Sequence, residues 1–132
     1  MVIDTSALIA IFLAEPDFPL LIDALERDPV RLLSAASLLE TSIVLYRRYR
    51  HAGEIEIDVF VQRNDIEVVP VTLEQAAIAR HAFRRFGKGH HSAGLNFGDC
   101  FAYALAKASG EPLLFKGNDF SQTDVPACEW RD

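Results

Sequence analysis

Cysteine is scarce in this chain. There are two among 132 residues, Cys100 and Cys128, and neither sits in a CxxC pair or near histidines at zinc-ligand spacing. That argues against a structural zinc site or a disulfide framework. Cys100 lies in an apolar run and reads as a buried free thiol, which fits a reducing cytoplasm. Long apolar stretches are also missing. Residues 7–13 fall far short of the ~20 residues that span a bilayer, and no basic segment precedes an apolar one at the start, so no signal peptide is expected. A soluble, cytoplasmic protein is the expectation. Nor is there an excess of positive charge. Lys and Arg number 13 against 19 Asp and Glu, for a net charge of −6. A protein that merely coated a nucleic acid would more often be basic, so any polyanion must meet a local basic patch. No linker, repeat or low-complexity segment interrupts the chain.

What is present is apolar bulk. Half of the residues are hydrophobic, enough at this length to bury a core, and one domain over residues 1–132 is expected. Residues 2–3 read as a short buried strand, followed by a polar turn and a helix from residue 7, with Thr5 or Ser6 near its N-cap. A second helix places Leu20, Leu21 and Leu25 on one face. Residues 30–34 form the second strand. Ser37 to Glu40 then opens a long helix to about Arg50, stopped by Gly53. Residues 55–63 make another helix, 66–69 a third strand, and a Thr72-x-x-Gln75 capping box starts a helix through Phe86. A loop over residues 87–97 leads to a nearly all-apolar helix, 99–109. Residues 112–115 form a fourth strand, 116–124 a polar loop, and 127–130 a possible edge strand. Strands alternating with helices predict an α/β domain, with a parallel sheet of four to five strands and helices on both faces.

Ligands of open parallel sheets bind beyond the carboxyl ends of the strands. Asp4 directly follows the first strand. Glu40 lies in the first turn of the helix after the second, and Asp119 lies a few residues beyond the fourth. Asp99 opens the helix that returns into that fourth strand, which starts on the same edge. Taken singly, each acid has an ordinary reading. Asp4 caps a helix, Glu40 completes a box with Ser37, Asp99 belongs to an Asn96 or Gly98 cap, and Asp119 and Asp124 are loop acids. Their joint placement on one edge carries the functional reading. Clustered carboxylates repel unless a cation intervenes. An all-oxygen donor set favours Mg2+ or Mn2+ over zinc, and suits a metal-assisted phosphodiester hydrolysis with an activated water.

At these residues the sequence resembles the PIN-domain ribonucleases, in particular the VapC-type toxins of bacterial toxin–antitoxin pairs. The matching segments are Met1-Val2-Ile3-Asp4-Thr5-Ser6-Ala7-Leu8, Ser37-Leu38-Leu39-Glu40-Thr41, Leu95-Asn96-Phe97-Gly98-Asp99-Cys100, and Pro112-Leu113-Leu114-Phe115-Lys116-Gly117-Asn118-Asp119-Phe120. The resemblance spans essentially the whole chain. It implies a PIN-like three-layer sandwich and endonucleolytic cleavage of RNA with magnesium or manganese. It makes Asp4 and Asp99 the direct metal ligands, with Glu40 and Asp119 completing the acidic pocket. Thr5 or Ser6 offers a hydroxyl, and Asn118 orients the Asp119 loop. A cognate antitoxin that blocks the pocket and a homodimer are implied as well.

Substrate binding needs positive charge beside this negative site. Between Glu74 and Asp99 there is no acid, but there are Arg80, Arg84, Arg85, Lys88, His90 and His91. Lys88 and the loop over residues 87–94, with His90 and His91, are expected to line an RNA groove. A solvated helix face is the ordinary alternative, favoured for Arg80. Arg47, Arg48 and Arg50 read as a helix face or a protein contact. Two rival functions stand beside the nuclease. A receiver-like signalling domain would need an acceptor Asp after the third strand, where Val69-Pro70-Val71-Thr72 has none. A non-catalytic PIN-like RNA- or protein-binding domain would keep the fold without the chemistry.

Overall fold

The computed structural model describes residues 1–131. Four very short strands make one parallel sheet: β1 (Val2–Ile3), β2 (Leu32–Ser34), β3 (Glu67–Val69) and β4 (Leu113–Leu114), in the order β3-β2-β1-β4. Val2 faces Leu32 on one side and Leu113 on the other, so β1 is central. The expected fifth strand shrinks to a single parallel bridge between Leu113 and Ala127.

Alternation along the strands divides the interior in two. Ile3, Leu33 and Leu114 point to one face, where they meet Leu8 and Ala10 of α1 (Thr5–Phe12) and Leu21 and Leu25 of α2 (Phe18–Arg27). Leu45 of α3 (Ala35–Tyr49) and Ile57 of α4 (His51–Arg63) complete that layer. Val2 and Leu113 point the other way, onto Ala82 and Phe86 of α5 (Leu73–Phe86) and Ala102, Leu105 and Ala106 of α6 (Phe97–Ser109). The result is the expected three-layer α/β sandwich. Among the described residues no helix is long and apolar enough to cross a membrane.

Several helix ends differ from expectation for local reasons. The N-cap of α3 is Ser34, whose Oγ accepts the Ala36 N–H at 3.2 Å. The helix therefore starts before Ser37, and the Ser37–Glu40 box does not form. Ser37 is instead buried, and its Oγ has no hydrogen-bond partner. Gly53 does not stop a helix. It lies inside α4, where a Cβ would sit 2.6 Å from the Leu45 carbonyl oxygen. The turn comes earlier, at Arg50, with φ of 56°. Helix α6 begins at Phe97, two residues earlier than expected, because Asn96 caps it. Thr72 does cap α5, bonding the Gln75 N–H at 3.1 Å, but the Gln75 side chain turns to the Pro70 carbonyl at 3.3 Å.

Candidate active site

The β1–α1 junction makes Asp4 both the strand's last word and the helix's cap. Its N–H continues the ladder to the Leu114 carbonyl at 2.9 Å, and its Oδ2 accepts the Ser6 N–H at 2.9 Å. Thr5 and Ser6 thus follow the cap and do not supply it. Asp4 is buried, with 3% of its surface exposed. Burial pushes its pKa up to about 6, and the negative charges of Asp99 and Glu40 push the same way.

Asp99 is fixed by a complete capping box. Its N–H donates to Asn96 Oδ1 at 2.9 Å, and its Oδ2 accepts the Asn96 N–H at 3.0 Å. Desolvation raises its pKa, and the charges of Asp119 and Glu40 add to that. The ordinary capping reading is therefore true of both Asp4 and Asp99, and it does not compete with a functional one. In each, Oδ2 accepts a backbone N–H.

Glu40 sits in the second turn of α3, half-buried, against the start of α6. A Cβ on Gly98 would collide with its carboxylate. Only glycine at this point of α6 lets the acid lie on the peptide backbone. Asp119 is exposed and precedes the 3-10 turn Phe120–Gln122. The loop is held by the Asn118 carbonyl, which accepts Ser121 Oγ at 2.6 Å and Gln122 Nε2 at 3.4 Å. It is this carbonyl of Asn118 that braces the turn.

The acids thus come from the first two turns of three helices and from one loop; the charges of Asp99 and Glu40 bear on Asp4, and those of Asp119 and Glu40 on Asp99. Among the described residues none of the four forms an ion pair. Nor do any three histidine, cysteine or carboxylate side chains there stand close enough to wrap an ion by themselves. An open, oxygen-only set with two carboxylates oriented by backbone N–H groups suits a hard cation that keeps most of its water and takes one or two carboxylates. It does not suit a closed tetrahedral zinc site.

Model matching places residues 1–126 within the PIN domain family. The chain belongs to the PIN domain family. The receiver-like alternative falls with that assignment. Within the family, the chain is 57% identical over 127 residues to Ribonuclease VapC of Mycolicibacterium smegmatis, covering 96% of this chain and 98% of that one. Its fold is similar to the crystal structure of VapC20 from Mycobacterium tuberculosis, a sarcin-ricin loop cleaving toxin. The TM-score is 0.77 at 21% identity, over 94% of this chain and 95% of that one. It is also similar to a chain of a toxin–antitoxin complex from Klebsiella pneumoniae, with a TM-score of 0.71 at 16% identity, over 93% and 92% of the two chains. The match to VapC ribonucleases at this identity makes the chain one of the ribonuclease branch of PIN domains.

The basic loop beside the PIN-domain acids is more structured than its composition suggests. Gly87 and Leu95 form a bridge that closes it. His90 Nε2 lies 3.0 Å from the Phe83 carbonyl, and His91 Nδ1 accepts the Ala93 N–H at 3.0 Å. Each histidine thus uses one ring nitrogen to shape the loop. Lys88 is exposed. Gln122 Nε2 reaches the Ser92 carbonyl at 3.5 Å, which joins this loop to the Asp119 turn. Arg85 is drawn off to Asp124, 3.3 Å away.

Three features escaped the sequence reading. Asp124 is not an ordinary loop acid. It accepts the Tyr103 hydroxyl at 2.5 Å and pairs with Lys107 at 3.2 Å and with Arg85. Gly98 is the seat of Glu40. Lys116 links separate loops. The spacing Phe97-Gly98-Asp99 at a helix start was the available signal for the glycine. Nothing local marks Asp124 or Lys116.

Proposed function

We propose that this chain is a metal-dependent endoribonuclease, the toxin of a toxin–antitoxin pair, that hydrolyses RNA phosphodiester bonds with Mg2+ or Mn2+. The observation that carries this reading is the gathering of Asp4, Glu40, Asp99 and Asp119 without a cationic partner among the described residues, around a buried Asp4 whose pKa is lifted to about 6. Such an arrangement is costly for its own sake and is relieved by a divalent cation. The curated relative's name supplies the substrate class.

Asp4 and Asp99 would hold the ion, their carboxylates kept in place by the Ser6 and Asn96 amides. Glu40 and Asp119 would complete the acidic pocket beside it. A bound ion would neutralise charge on the scissile phosphate and acidify a water molecule. Thr5 and Ser6 support the turn. The Thr5 hydroxyl donates to the Ser37 carbonyl at 3.4 Å, and Ser6 Oγ accepts the Lys116 N–H at 3.0 Å. Lys88 contacts RNA phosphates, and the His90–His91 loop forms the wall of that groove. The partners are a cognate antitoxin, in keeping with the toxin–antitoxin complex of similar fold, and a second copy of the chain.

The test is cleavage of structured RNA by the purified protein with Mg2+ or Mn2+, with EDTA, and with Asp4→Asn. Cleavage that requires the metal and vanishes in the variant is expected. Cleavage surviving both treatments would sink the assignment.

A further inference from the structure

Three segments that carry or flank the acids meet at Lys116, which stands two residues beyond β4. Its backbone N–H donates to Ser6 Oγ at 3.0 Å, and Ser6 in turn donates its own N–H to Asp4 Oδ2 at 2.9 Å. Its ammonium reaches the α1–α2 turn, where it pairs with Glu15 and, at 2.8 Å, with Asp17. That turn is ordered. The Glu15 N–H bonds the Ala10 carbonyl at 3.0 Å, and the Phe18 N–H bonds the Glu15 carbonyl at 2.9 Å. Ala14 holds a left-handed φ of 50° in that turn. A few residues after Lys116 the chain delivers Asp119.

The lysine is thus engaged at both ends, by its amide and by its ammonium. Two carboxylates claim its one positive charge, so it has none to spare for a phosphate. Its side chain is about three-quarters covered, unlike the exposed Lys88. Glycine follows at position 117 with φ of 106°, so the loop would be slack without an anchor.

We propose that Lys116 is a positioning residue whose ammonium straps the Asp119 loop to the α1–α2 turn through Glu15 and Asp17, while its amide ties the same loop to Ser6 in the Asp4 turn. The inference rests on the nuclease reading for its consequence, but the strap itself can be measured without metal or RNA. It acts on the loop acid, and leaves Asp4 and Asp99 where β1 and the α6 box put them.

Hydrogen exchange, followed by mass spectrometry on the metal-free protein, reads the strap directly. In Lys116→Met the amides of residues 116–122 should exchange about tenfold faster, while those of α6 stay unchanged. A double variant, Glu15→Gln with Asp17→Asn, removes the same contacts from the partly exposed side and carries the same expectation should Lys116→Met fold poorly. Unchanged exchange over residues 116–122 in a folded variant overturns the proposal. RNA cleavage supplies the second readout. Lys116→Met should lower kcat about tenfold, the low end for a supporting partner of a metal site, with KM within twofold, and Lys116→Arg should restore most of it. In an Asp119→Asn background the same change should cost nothing further. An equal loss in both backgrounds, or a raised KM at full kcat, overturns positioning through Asp119. If the wild-type protein cleaves no RNA with metal, the nuclease reading fails by itself, and the exchange data alone decide the strap.

Discussion

Asp4 and Asp124 are both aspartates set against the same sandwich, and they are treated in opposite ways. Asp124 is surrounded by donors. Tyr103, Lys107 and Arg85 converge on it, and they hold its carboxyl below the usual range despite partial desolvation. Asp4 is buried among other acids, and its carboxyl is lifted to about 6. One acid closes its own electrostatic balance within the chain, and so pins the segment after the 3-10 turn. The other leaves its balance open, to be completed from outside. On the proposed function, the difference separates a structural carboxylate from a metal-holding one more sharply than burial or sequence position does.

The comparison breaks most easily at the open cluster. Asp4→Asn or Asp99→Asn should reduce RNA cleavage by at least ~100-fold, beyond the ~10–100-fold of an outer-shell partner. Single-turnover rates at saturating Mn2+ check this, and a loss of only a few-fold would remove these acids from metal binding. Next comes pH. In EDTA, native Asp4 holds a proton between pH 3.8 and about 6 that the unfolded chain has released. Stability should therefore fall as pH rises through that window, by up to about 3 kcal/mol. Asp99, shifted in the same direction, adds to the slope. Urea midpoints against pH read it, and Asp4→Asn should flatten the curve.

Gly98→Ala should cut cleavage between ~10- and ~100-fold, the range for displacing a catalytic group by about an ångström. The melting temperature should hold, because alanine is the better helix former. A variant with normal rates would show that Glu40 need not rest on α6. Asp124→Ala should do the reverse. Leaving the buried Tyr103 hydroxyl without its acceptor costs ~1–3 kcal/mol, seen in chemical denaturation, with cleavage per folded molecule little changed. The smallest effect is expected at Lys88→Ala, where the salt dependence of RNA binding should fall by about one unit of slope.

Much of this arrangement is legible in the chain. Strand–helix alternation gives the parallel sheet, and the carboxyl-edge rule points to Asp4, Glu40, Asp99 and Asp119 despite their separation. What local pattern misreads is a contest between equivalent signals. Ser37 looks like the cap, but Ser34, read as the end of a strand, caps the helix, and Ser37 is buried. Gly53 looks like a stop, but the close crossing of α4 over Leu45 needs a residue without Cβ. Lys116 and Asp124 have partners far away in the sequence, so no window around them carries the information. His90 and His91 read as groove-lining residues, and no local pattern shows that one ring nitrogen of each also bonds the loop backbone.

The central position of β1 also bears on how the protein is made. β1 leaves the ribosome well before β4, the neighbour it needs in the sheet. The bond from the Asp4 amide to the Leu114 carbonyl joins them at 2.9 Å. A nascent chain carries Asp4, Glu40 and Asp99 long before it can seat them against that last strand and add Asp119. On the proposed function, a translating ribosome would hold an inert precursor until β4 and Asp119 had emerged, and potency would arrive in one late step. That leaves an interval in which a partner can be waiting.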